Sequence, residues 1–88
     1  MPWTVEISNT ARKQLRRLDP QISNRIVDFL EERVTSLDDP RALGGSLNGG
    51  FQGLWKYRVG DYRIICEIQD HQLLILVVEV GHRREVYR

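Results

Sequence analysis

Residues 54–80 read LWKYRVGDYRIICEIQDHQLLILVVEV, with an apolar period close to two. That period belongs to strands, because successive side chains of a strand point to opposite faces. Leu54 to Val59 and Tyr62 to Ile68 predict two strands joined at Gly60-Asp61, a two-residue pair suited to a tight hairpin turn. Asp70-His71 predicts a second turn. Leu73 to Val80 is almost continuously apolar, which predicts a central strand that Gly81 breaks.

Upstream, residues 41–53 (RALGGSLNGGFQG) hold five glycines and read as a loop, with a candidate turn at Asn48-Gly49. Before it the period changes to helical. Ser8-Asn9 offers N-caps, and Ala11, Leu15 and Leu18 recur on one side of a first helix. Its outer side carries Arg12, Lys13, Arg16 and Arg17. Asp19-Pro20 pairs a cap with proline at the first helical position and starts a second helix. Ile22, Ile26, Phe29, Leu30 and Val34 form its stripe, and Asp38-Asp39-Pro40 ends it. Trp3, Val5 and Ile7 alternate with polar residues in a short first strand. The order is β-α-α-β-β-β, an α+β fold. Two N-terminal helices packed on one face of a largely antiparallel sheet bury both stripes most simply.

The 88 residues read as a single domain, 1–88, that buries about 60–65% of its unfolded surface. Apolar residues make up 41% and charged residues 28%, an ordinary globular balance. No apolar run approaches the ~20 residues that cross a bilayer. Residues 1–20 contain no apolar signal core, so a cytoplasmic protein without a membrane partner is expected. Cys66 is the only cysteine, which excludes an internal disulfide and reads as a small apolar strand residue. With no cysteine or histidine cluster, neither a metal nor a cofactor is expected.

Net charge is +1, so the placement of the 13 basic residues matters more than their sum. Strand parity puts Lys56 and Arg58 on one face and Trp55, Tyr57 and Val59 on the other. Arg63 shares a face with Ile65 and Glu67, opposite Tyr62, Ile64, Cys66 and Ile68. Glu79, Gly81 and Arg83 share one parity, which His82 opposes. If the apolar faces meet the helices, Lys56, Arg58, Arg63 and Arg83 converge on the open face. Charge alternates outward on any half-solvated sheet. Two details favour a site: three of the four cations are arginines, suited to bidentate phosphate contacts, and Tyr87 follows Arg83 by four residues.

Trp55-Lys56-Tyr57-Arg58-Val59, Asp61-Tyr62-Arg63-Ile64-Ile65 and Val80-Gly81-His82-Arg83-Arg84-Glu85-Val86-Tyr87, with the Leu47–Leu54 loop, resemble the RelE branch of the RelE/ParE toxin superfamily. The resemblance covers nearly the whole chain and implies a RelE-like, microbial-RNase-like fold. It also implies a ribosome-dependent endoribonuclease that cuts mRNA in the A site, by attack of a 2′-hydroxyl on the adjacent phosphate. By the same resemblance Lys56 matches the first catalytic lysine and Arg63 the phosphate-binding arginine. Arg83 matches the residue that protonates the leaving oxygen, and Tyr87 the tyrosine that stacks on the substrate base. Arg58 stands where relatives often have a second lysine, and Arg84 is a further RNA-binding candidate. The implied partners are a RelB-like antitoxin, the ribosome and mRNA, and operator DNA reached through the antitoxin complex.

The chemistry is coherent on its own terms. Phosphodiester transfer needs a base for the 2′-hydroxyl, positive charge on the phosphorane and help for the leaving group. No histidine pair or carboxylate cluster offers a metal route. Arginine stays charged, so Lys56 is the plausible base among the four cations, and electrostatic stabilisation is the larger expected contribution. Two other readings use the same fold: a ParE-like, non-enzymatic inhibitor of DNA gyrase, and a degenerate member that only binds its partner. The lysine–arginine–tyrosine set favours the nuclease.

Overall fold

The computed structural model describes residues 3–47 and 53–82. Strand β1 (Thr4–Ile7) leads into helix α1 (Asn9–Arg16) and helix α2 (Pro20–Asp28). Strand β2 (Gly45–Ser46), β3 (Leu54–Val59), β4 (Tyr62–Gln69) and β5 (Leu74–His82) follow. They form one five-stranded sheet in the order β1-β5-β4-β3-β2. Among the described residues only the β1–β5 pair is parallel. This is the expected α+β fold, with β5 inside the sheet and a short extra strand inside the glycine-rich loop. The candidate turn at Asn48-Gly49 lies outside the described residues.

The caps act as their residue types require. Ser8 Oγ accepts from the Ala11 amide and Asp19 Oδ1 from the Gln21 amide, satisfying N–H groups that a first helical turn leaves open. The second helix continues beyond Asp28 as a π-helix, Phe29–Val34. Its fully buried residues, Ile26, Leu30 and Val34, are spaced strictly by four. At 3.6 residues per turn such a series rotates steadily off the interface. The wider π turn counters that drift and keeps Val34 over the core.

The main core joins these residues to Ala11 and Leu15 of α1 and to Tyr57, Val59, Ile64, Cys66, Ile68, Ile75, Val77 and Val80 of the sheet. Burial pushes the Cys66 thiol up to about 12, so it stays protonated and inert at neutral pH. Leu47 and Ile65, with Leu54 and Val78, make a second small cluster on the opposite face. The open face is thus partly apolar.

A β-bulge sets the parity of β5. Ile65 pairs with Glu79, but Cys66 pairs with Val77, leaving Val78 as the extra residue. Ile75 and Val77 therefore face the helices, and so does Val80, three positions further on. Glu79 and Gly81 fall on the open face, opposite Ile65 and Arg63. The bulge lies just past the end of β1, where β5 keeps β4 on one edge but loses its partner on the other. Side chains of α1 and its cap replace that partner: Ser8 Oγ donates to the Val78 carbonyl at 3.3 Å, and Gln14 Oε1 accepts from the Val80 amide at 2.6 Å. Gly81 does not break the strand. It continues to His82, whose ring packs edge-on against Tyr62 at 5.7 Å.

Candidate functional site

The Gly60-Asp61 turn fixes the register on which the site depends. Of the two residues only Gly60 takes a positive φ, +59°, as the first central residue of a type II′ turn does. Across this turn Val59 pairs with Tyr62, Arg58 with Arg63 and Lys56 with Ile65. Arg63 is thus the direct neighbour of Arg58 and the diagonal neighbour of Lys56, on the order of 7–8 Å away between Cα atoms. All three side chains rise from the open face.

The alternate residues of β3 build the wall beside them. Trp55 Nε1 donates to the Leu43 carbonyl at 2.7 Å, and the buried Tyr57 hydroxyl donates to the Pro40 carbonyl at 2.6 Å. Phe29 packs edge-on against the Tyr57 ring. Burial raises the Tyr57 phenol well above its ordinary range, so it remains a donor. These two bonds hold the Pro40–Ala42 turn, a single 3₁₀ turn, and the residue after it. Arg41 adds a bidentate ion pair to Asp70, both contacts 2.9 Å, which holds the Asp70 carboxyl below its ordinary range.

The segment so fixed delivers Gly44 and Gly45 to the edge of β3. Gly44 has φ +79°, and a Cβ there would lie 2.2 Å from the Lys56 carbonyl oxygen. Only glycine fits. Gly45 pairs with Lys56, whose Cε lies 3.9 Å from where a Gly45 Cβ would stand. The Lys56 stem therefore runs over the bare Gly45 backbone. Gly44, Gly45, Lys56, Tyr57, Arg58 and Arg63 line a pocket of about 200 Å³. No carboxylate is among the described residues that line it. That volume is below the 300 Å³ or more typical of whole small-molecule sites and suits one phosphate with its sugar.

The three cations differ in setting. Lys56 and Arg63 are half-buried and Arg58 is exposed. Arg63 Nε is shielded from solvent. Arg58 Nε donates to the Gly60 carbonyl at 3.1 Å, which braces the guanidinium against the turn. Two arginines directly opposite one another repel, costing roughly 0.2–1 kcal/mol, so the pair is an arrangement that stability alone would not select. Such a pair becomes favourable when an anion lies between them.

Of the sequence candidates, the structure brings Lys56, Arg58 and Arg63 together. Arg83, Arg84 and Tyr87 lie outside the described residues. His82 stays on the helix side with Tyr62, away from the three cations, and His71 is exposed. The sequence reading missed the Gly44-Gly45 floor. The adjacent glycine pair was its only signal, and five glycines in one loop obscured which two mattered. Among the described residues, no helix is long and apolar enough to cross a membrane.

Known proteins match this architecture along its length. Residues 5–87 match the family described as the ParE toxin of the type II toxin–antitoxin system parDE. The chain is 32% identical over 88 residues to Toxin RelG of Mycobacterium tuberculosis, covering 100% of this chain and 99% of that protein. It is 32% identical over 87 residues to Toxin RelE of the same organism, covering 99% and 88%. The solved toxin–antitoxin complex RelBE2 from M. tuberculosis contains a chain that superposes with a TM-score of 0.84 at 30% identity, over 96% of this chain and 94% of that one. With a family match that runs from β1 past the end of β5 and two RelE-group relatives aligned almost end to end, the chain belongs to the RelE/ParE superfamily of type II toxin–antitoxin toxins, as a RelE-type member.

Proposed function

We propose that this toxin is a ribosome-dependent endoribonuclease that cleaves mRNA in the A site. The observation that carries the reading is the pocket of Lys56, Arg58 and Arg63 on a glycine floor, with no carboxylate among its described lining residues. The scissile phosphate sits between the Arg58 and Arg63 guanidiniums. Its non-bridging oxygens gain negative charge as the 2′-oxygen adds, and the fixed cations stabilise that charge most when it is greatest. Lys56, at the edge of the arginine pair, takes the 2′-hydroxyl proton as a neutral amine, or adds a third positive charge as an ammonium while solvent water takes that proton. The 2′-oxygen–phosphorus bond forms as the phosphorus–5′-oxygen bond breaks. A 2′,3′-cyclic phosphate and a 5′-hydroxyl result. By resemblance, Arg83 protonates the leaving 5′-oxygen, Tyr87 stacks on the base and Arg84 contacts RNA. The ribosome positions the strand, a contribution of the kind that effective molarity measures.

An antitoxin partner follows by extension from the M. tuberculosis neighbour, solved as a toxin–antitoxin complex. We extend to this chain a RelB-like segment that folds on binding, with operator DNA bound by the complex through the antitoxin. The reaction site is expected in the cytoplasm, where ribosomes are.

Mapping mRNA 5′ ends in a translation extract tests the reading. Cuts at A-site codons that disappear in Arg63→Ala, Arg83→Ala and Tyr87→Ala variants support it. Intact mRNA together with inhibited DNA supercoiling would replace it with the gyrase-inhibitor reading that the ParE description of the family suggests.

A further inference from the structure

Among the described residues three side chains tie the glycine floor down, and one of the ties begins far from the pocket. Tyr57 and Trp55 belong to β3, the strand that carries Lys56 and Arg58. Their bonds to the Pro40 and Leu43 carbonyls reference the floor to that strand. The third tie is Arg41, whose guanidinium meets both carboxylate oxygens of Asp70 at 2.9 Å. Asp70 opens the 3₁₀ turn Asp70–Gln72 between β4 and β5. It stands at the far end of β4 from Arg63, about 20 Å along the strand. It lines no part of the pocket.

Stability does not explain this pair. The two side chains are 39% and 59% exposed, and an exposed ion pair adds little to folding. What a bidentate pair supplies is direction, because two parallel N–H···O bonds allow one orientation of the guanidinium. The turn that presents the carboxylate is itself uncommon. Leu73 closes it at φ +51°, a left-handed conformation rarely adopted by a residue with a Cβ, and its apolar side chain is left 38% exposed. Backbone strain of this kind persists where the surroundings over-determine it, and it concentrates where position matters.

The floor has no slack to absorb a shift. Gly44 passes so close to the Lys56 carbonyl that no methyl group fits there, and the Lys56 stem runs over Gly45. Movement of residues 41–43 therefore passes to Gly44 and Gly45, and from them to the Lys56 side chain. We propose that Asp70 is a remote positioning residue: through Arg41 it sets where the glycine floor lies beneath Lys56, and so how Lys56 meets a phosphate held by Arg58 and Arg63. Asp70 itself touches no substrate. Tied to β3 through Tyr57 and Trp55 and to the end of β4 through Arg41, the floor is fixed against both strands that supply the cations. The effect on cleavage rests on the nuclease reading; the coupling of Asp70 to the floor does not.

The test uses the full chain with Asp70→Asn and Asp70→Glu. In the free protein, the amide chemical shifts of Gly44 and Gly45 are followed by NMR during a titration with inorganic phosphate. On ribosomes programmed with a short mRNA, single-turnover cleavage is measured across a range of ribosome concentrations. Asp70→Asn should displace both glycine amide signals and weaken phosphate binding. A misplacement of ~1 Å can cost on the order of 10²-fold, and slackening one tie of three should cost less, so the maximal cleavage rate should fall about three- to tenfold. The half-saturating ribosome concentration should stay within about twofold, and the melting temperature within ~2 °C. Asp70→Glu keeps the carboxylate and should recover most of the rate. Glycine amides that do not move in Asp70→Asn overturn the proposal, as does an unchanged maximal rate in a cleaving protein. A fall in melting temperature of ~10 °C or more overturns it too, because the pair would then be holding the fold. Displaced glycine amides and weaker phosphate binding, in a toxin whose wild type cuts no mRNA, would remove the nuclease reading and leave the coupling standing.

Discussion

Arg58 and Arg63 face each other directly across the β3–β4 pair, and the bare Gly81 flanks Arg63 on its other side. Two like charges in that relationship weaken a sheet. Replacing Arg58 with glutamine should therefore raise stability by a few tenths of a kcal/mol, or ~1–3 °C in a domain of this size, less whatever the Arg58–Gly60 bond contributes. Activity should fall in the same variant. Calorimetry beside single-turnover cleavage checks both; a variant that is less stable as well as less active would show that the pair is not repulsive in the free protein.

The glycine floor separates fold from function at adjacent positions. Gly44→Ala places a Cβ against the Lys56 carbonyl at a positive φ and should cost about 2–4 kcal/mol. Gly45→Ala meets only the Lys56 Cε at ordinary contact distance and should stay within ~0.5 kcal/mol. Gly45→Leu should keep the fold but fill the pocket beneath the lysine and lower cleavage. Urea unfolding of the three variants gives the ranking directly, and equal losses at the two alanines would contradict it.

Much of this was legible in the sequence because β3 and β4 alternate cleanly. Parity alone placed Lys56, Arg58 and Arg63 on one face, and the Gly60-Asp61 pair announced the turn that aligns them. The bulge was not legible. Leu73 to Val80 is so uniformly apolar that an extra residue leaves no break in its period, and only pairing with Ile65 and Cys66 reveals it. Strand β2 was hidden for the opposite reason. Its two residues pair because Trp55 and Tyr57 hold the preceding segment through hydrogen bonds to backbone carbonyls, a long-range effect that no local propensity encodes.

The bulge makes its own prediction. Gln14→Leu removes the acceptor of the Val80 amide and should cost about 1–3 kcal/mol, whereas Gln14→Glu keeps an acceptor and should cost less. Comparable unfolding midpoints for the two variants would mean that the amide finds another acceptor.

Cys66 should resist thiol reagents in the native protein and react only as fast as the fold opens. Its folded value of about 12 lies above the ordinary 9.0. Below pH 9 both folded and unfolded states hold the proton, and stability is unaffected. As pH rises from about 9 towards 12 the unfolded chain loses its proton first, so stability falls in that window. Modification at pH 8 that is faster than global opening would place the thiol at the surface instead.

Lys56 decides between proton transfer and charge stabilisation. If the pocket works chiefly by holding positive charge about the phosphorane, Lys56→Arg should retain cleavage within about tenfold, while Lys56→Gln should lose ~10²–10³-fold, the magnitude that removal of one transition-state donor typically produces. Arginine preserves the charge and reach but does not give up a proton. Single-turnover cleavage on programmed ribosomes measures both variants under conditions where binding is saturated. Equal, deep losses in the two would assign Lys56 the role of general base, with Arg58 and Arg63 left to hold the phosphate.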